Sequence, residues 1–142
     1  MRREVRSSGS NMSAHVLVQV VAQADDAINR EDFDRLVEFY APDGMLVVMP
    51  GKHAVGHEAL RNAFVRIAEH FNHTLRVSQR EVQVLEAGDT ALVLARTHVQ
   101  ATMKGGEAYD VERRATYVFR KDAGGVWRCV VDNSYGTDLL QG

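Results

Sequence analysis

One cysteine and two prolines in 142 residues remove several options at once. A lone Cys129 cannot close an internal disulfide, nor can it build a thiolate metal site by itself. Charge of one sign is missing as well. Seventeen basic residues stand against nineteen acidic ones, and the formal net charge of -2 leaves no global basic field to draw nucleic acid or an anionic membrane. No apolar run approaches the roughly 20 residues that a membrane-spanning helix needs. The basic opening MRREVR runs into Ser and Gly without the apolar segment of a secretory signal. Residues 1–12 therefore read as a disordered leader or a remnant of expression, and a cytoplasmic location is the default expectation.

What remains is an ordinary globular composition, 45% apolar and 25% charged, in a chain long enough for one real core. The expectation is a single domain over residues 13–142. Leu17, Val20, Val21, Ala24 and Ile28 recur at helical spacing after a candidate N-cap, Ser13. Asp32 is placed to cap a short second helix, with Phe33, Leu36, Val37 and Tyr40 on one side. Ala41-Pro42-Asp43-Gly44 ends it. MLVVMP reads as a buried strand, GKHAVG as a loop, and HEALRNAFVRIAEHFN as a third helix. From about Thr74 the period falls to two, in four runs (74–86, 89–103, 108–121 and 126–135) separated by AGD, KGG and DAGG. Those glycine-containing breaks suit hairpin turns. Helices followed by an antiparallel meander predict an α+β fold, with three N-terminal helices packed on one face of a curved sheet.

Three segments carry a family resemblance: AINREDFDRLVEFYAPDGMLV, VGHEALRNAF and WRCVVDNSYGTDLL. Together they resemble the nuclear-transport-factor-2-like superfamily, in its SnoaL-like and ketosteroid-isomerase-like branch. The resemblance covers about residues 14–140. It implies a cone-shaped α+β barrel whose open mouth holds a small ligand. It also implies that steroid isomerisation by the usual mechanism is not the activity. The isomerase base falls near Val48 or Met49, its tyrosine at Ala24 and its oxyanion aspartic acid at Ala115, and none of these can do that chemistry.

The same resemblance turns one row of each strand inward: Leu92, Leu94, Arg96, His98 and Gln100, then Arg113, Ala115, Tyr117 and Phe119. On the last strand it turns Trp127, Cys129, Val131, Asn133 and Tyr135 inward. Alternation alone sends Arg96 and His98 to solvent, so the two arguments conflict. On the inward reading, His98 is the candidate proton shuttle and Arg96 a charge stabiliser. Gln100, Arg113, Tyr117, Asn133 and Tyr135 are then ligand contacts, with Tyr40, Met49 and Phe64 as apolar walls. Buried guanidinium groups need partners, supplied by an anionic ligand or by internal carboxylates.

Asn133 and Tyr135 have a second reading, as groups that fix the chain exit at Gly136. Asp132, Asp25 and Asp26 are expected on the surface. His53, His57, His70 and His73 lack the spacing of a metal site, so no metal and no cofactor are expected. The row Val93, Ala95, Val99, Ala101, Met103 and Val118 is expected on the outer sheet face, where a homodimer would cover it. Two functions follow. One is a small-molecule enzyme (isomerase, lyase or hydrolase) for a polar or anionic substrate. The other is a non-catalytic ligand-binding or dimeric association module.

Overall fold

The computed structural model describes residues 15–140. Helix α1 spans Val16–Asn29, α2 Phe33–Val37 and α3 His57–His70. The strands are β1 Tyr40–Met49, β2 Lys52–Val55, β3 Arg76–Ala87, β4 Thr90–Thr102, β5 Ala108–Lys121 and β6 Trp127–Asn133. They form one sheet in the order β2-β1-β6-β5-β4-β3, antiparallel except where β1 runs parallel to β6. The fold is α+β, as expected: three helices on a six-stranded, mostly antiparallel open sheet.

Local chemistry explains the helix ends. Asp32 accepts a hydrogen bond from the Arg35 amide, the N-cap expected of it. Ser13 lies outside the described residues, and the α1 cap is instead His15, whose ring accepts from the Leu17 amide. The expected apolar stripe of α1 packs inward, with Leu17 and Val21 buried and Val20, Ala24 and Ile28 against the core. GKHAVG, expected as a loop, contributes the edge strand β2 opposite β1. Four residues with Lys52 and His53 exposed are too short for alternation to register.

The faces of the sheet need a correction. On β4 the row Ala91, Val93, Ala95, Thr97 and Ala101 is buried beneath the helices, while Leu92, Leu94, Arg96 and Gln100 are exposed. Alternation was the better guide, and the facing implied by resemblance fails for this strand. Register gives the reason. Thr97 stands opposite Arg113 and Arg96 opposite Arg114. Directly paired residues share a face, so Arg96 and Arg113 cannot both point inward. The outer-face assignment of Val93, Ala95 and Ala101 falls with it, because all three are buried within the monomer.

A second correction sits on β6. Phe119 pairs with Cys129 but Val118 with Val131, so one extra residue is inserted near Val130. A bulge of this kind reverses the parity of everything after it. Trp127 and Cys129 face the helices as expected. Beyond the bulge Asp132, rather than Val131 or Asn133, takes the inward position opposite Tyr117.

Candidate functional site

Position on β4 removes His98, Arg96 and Gln100 from the helix-covered face. Arg96 lies 3.1 Å from Glu81 and 3.8 Å from Glu112. His98 Nε2 is 2.8 Å from Asp110, to which the Gln100 amide also donates. The histidine contact holds the exposed Asp110 carboxyl below its usual range. The Arg96 contacts are exposed ion pairs of the outer face, of the kind that contribute little to stability.

The helix-covered face carries a different polar set. Asp132 accepts a hydrogen bond from the Tyr40 hydroxyl at 2.5 Å. Burial pushes its carboxyl up to about 6, against the lowering effect of that bond. Tyr117, its cross-strand partner, has its phenol raised by burial and by the neighbouring Asp132 charge, so it stays protonated. Tyr40 is likewise raised well above the ordinary tyrosine value. Asp132 and Tyr117 nevertheless keep some accessible surface, unlike the sealed core residues around them.

A hydrogen-bonded chain continues from Tyr117. Its hydroxyl lies 3.3 Å from Thr97 Oγ1, which donates to Gln79 Oε1 at 2.8 Å. The Gln79 amide then donates to Asp25 on α1 at 2.9 Å. Asp25 is buried within the apolar stripe, and desolvation pushes its carboxyl up to about 7. It also forms part of a groove of about 530 Å³ between α1 and β3, lined further by Val18, Ala22, Asn29 and Val82.

Arg113 projects to the same face nearer the open end of the sheet. Its Nη2 donates to the Tyr109 hydroxyl at 2.9 Å, and its guanidinium sits 4.7 Å from the centre of the Tyr135 ring. The Tyr135 hydroxyl donates to the Val48 carbonyl, and Met49 is half exposed beside it in the chain. Of the expected ligand contacts, the structure thus keeps Arg113, Tyr117 and Tyr135 on the inner side, and Tyr40 and Phe64 in its core wall. Tyr40 and Phe64 lie with ring centres 6.1 Å apart. Asn133 is spent on the turn: its amide donates to the Gly136 carbonyl and accepts from the Tyr135 and Gly136 amides. That is the chain-exit role.

Asp25, Gln79, Thr97 and Asp132 were not anticipated as site residues. Asp25 had a signal, since it stands four residues after Val21 in the inward stripe. Thr97 had one too, within the apolar row of β4. Asp132 had none, because a bulge leaves no mark on alternation until the pairing is known. Cys129 is buried, and burial pushes its thiol well up, which argues against a reactive thiolate. Among the described residues, no three His, Cys, Asp or Glu side chains gather as metal ligands. His57 contacts the Tyr40 carbonyl and His73 contacts Glu31. No helix among the described residues is long and apolar enough to cross a membrane.

Comparison with known proteins agrees with this architecture. An NTF2-like protein with a cystatin-like fold from Novosphingobium aromaticivorans superposes with a TM-score of 0.72 at 19% identity, covering 89% of this chain and 87% of its own. An uncharacterised cystatin-like-fold protein from Caulobacter vibrioides gives 0.68 at 21%, covering 81% and 83%. A Catenulispora acidiphila protein in complex with S-DNPA gives 0.70 at 18%, covering 82% and 87%. At such identities the likeness is one of fold. Among curated proteins none matches the sequence. The SnoaL-like domain family matches residues 17–132, most of the chain, and to that family this protein belongs.

Proposed function

We propose that the helix-covered face binds a small polar or anionic organic molecule and moves a proton on it, with Asp132 as the acid–base group. One observation carries the reading: a carboxyl at about 6 stands directly opposite a phenol held in its protonated form. A base near neutrality beside a fixed hydrogen-bond donor suits proton abstraction next to a carbonyl. The carboxylate takes the C–H proton while the Tyr117 hydroxyl, turning its proton from Thr97 to the ligand, stabilises the enolate oxygen. Tyr40 orients Asp132 through its short hydrogen bond. Asp25, protonated below about 7, keeps the far end of the chain neutral. The proton-shuttle role expected of His98 passes to Asp132, because His98 lies on the opposite face of the sheet.

Deuterium exchange into β-tetralone, followed by proton NMR in D2O, tests the reading with a simple carbon acid. Wild type should accelerate exchange over buffer, with the rate rising as pH passes about 6. Asp132→Asn should remove the acceleration and His98→Ala should keep it. Acceleration lost with His98 but kept without Asp132 would return the chemistry to the outer face. No acceleration in wild type would favour the non-catalytic binding module.

We infer further that the chain acts as a homodimer through its outer sheet face. Register lines up Leu85, Leu92, Val118, Val131, Met45 and Val55 as one apolar row across all six strands. Leu85, Leu92 and Val55 are exposed in the monomer. A row of that continuity on an open sheet supports pairing with a second copy.

A further inference from the structure

Most arginines on this sheet have acids beside them. Arg80 and Arg96 reach Glu112, Arg120 reaches Asp43, and Arg128 reaches Asp122. Arg113 differs. It is half-buried on the helix-covered face, and no carboxylate among the described residues lies within ion-pair distance of it. The Tyr109 hydroxyl and the Tyr135 ring hold its guanidinium in place without neutralising it. Nε and Nη1 keep their donors free of protein partners among those residues.

A half-buried, immobilised cation with spare donors gains from an anionic partner. We propose that the ligand of this site carries a carboxylate, bound by the free edge of the Arg113 guanidinium. A carboxylate matches that edge better than a phosphate dianion does. One guanidinium supplies one charge and a planar, two-donor fork, the geometry of a carboxylate. Among the described residues the other basic side chain of the inner face of β5, Lys121, stands at the far end of the strand over the Trp127 ring.

The shape of the rest of the ligand follows from the side chains around Arg113. Arg113 and Tyr117 are four residues apart on β5, about 13 Å of strand. Ala115 lies between them, with Ala95 and Thr97 opposite on β4, all three buried beneath the helices, so the room for a ligand is at the half-buried Arg113 end. The walls at the Arg113 end are aromatic, with Tyr135 under the guanidinium and Phe71 packed 5.0 Å from Tyr109. The occupant is therefore a monocarboxylate, its acid group at Arg113 and a flat, unsaturated remainder against the Tyr109 and Tyr135 rings. This assignment rests on the helix-covered face being the ligand site, but not on any proton transfer there.

Benzoate and its neutral isostere benzamide separate the two ideas, with binding read from amide shifts in two-dimensional NMR of the full chain. Wild type should bind benzoate about tenfold more tightly than benzamide, with shifts centred on Tyr109, Arg113 and Tyr135. Arg113→Gln should lose that preference while keeping the dispersed spectrum of the folded protein. Arg113→Lys should keep part of it, and Asp132→Asn should retain it. Equal affinity for both probes on the inner face would overturn the carboxylate assignment and leave the site itself standing. So would a benzoate preference that survives in Arg113→Gln. Shifts confined to Arg96, Arg114 and their outer-face neighbours, or none at all, would overturn both the assignment and the site.

Discussion

Asp25 shows how one buried side chain can govern a whole pH profile. Its carboxyl stands at about 7 in the folded chain against 3.8 for an exposed aspartate, chiefly through desolvation. Between about pH 4 and pH 7 the unfolded chain ionises this group and the folded chain does not. A group raised in this way stabilises the fold most at low pH, and stability falls as pH rises through the window. Each pH unit there costs about 1.4 kcal/mol. Asp25→Asn keeps an oxygen to accept from Gln79 and removes the ionisation. The variant should match wild type near pH 4 and gain steadily to pH 7, with a Tm at pH 8 higher by about 3 °C or more. Thermal melts across that range test it, and parallel curves for the two proteins would refute it. The exposed Asp26, Asp110 and Asp122, held low by arginine, histidine or backbone partners, act in the opposite sense and cancel in the comparison.

At the scale of elements, alternation and helical spacing carried most of the fold, and pairing carried what they missed. The helical stripes, the Asp32 cap and the four long strands were legible because each repeats a signal many times. Edge strand β2 was not, with four residues and one buried side chain. The candidate site was read less well, for a specific reason. Facing was taken strand by strand, whereas register couples strands: once Thr97 is opposite Arg113, His98 must turn outward. On β6 the inserted residue near Val130 moved Asp132 inward, and no single-strand pattern records such an insertion. Two neighbours on β4 test the corrected facing. Val93 is fully buried and Leu94 is 37% exposed. Val93→Ala should cost about 2 kcal/mol by urea unfolding, and Leu94→Ala well under 1 kcal/mol, although leucine loses the larger side chain. The reverse order would restore the discarded facing.

For the whole molecule, the open sheet leaves one broad surface that the helices do not cover. The apolar row from Leu85 to Val55 crosses that surface, and the ion pairs of Arg96, Glu81 and Glu112 flank it. Charges of both signs on one face allow it to meet its own two-fold image, since an acid on one copy finds a base on the other. In the proposed dimer His98 and Arg96 would stand at the rim of the contact. Leu92 lies in the row between Leu85 and Val118, so Leu92→Glu places a charge within the proposed contact. Its exposure in the monomer means that folding itself should tolerate the change. Sedimentation equilibrium should give a dimer for wild type and a monomer for Leu92→Glu, with circular dichroism unchanged. The exchange reaction at Asp132 should persist in the monomer, because the proton-transfer groups all come from one chain. A wild-type monomer at high concentration would rule out this interface. A variant that stays dimeric would place the contact elsewhere on the molecule.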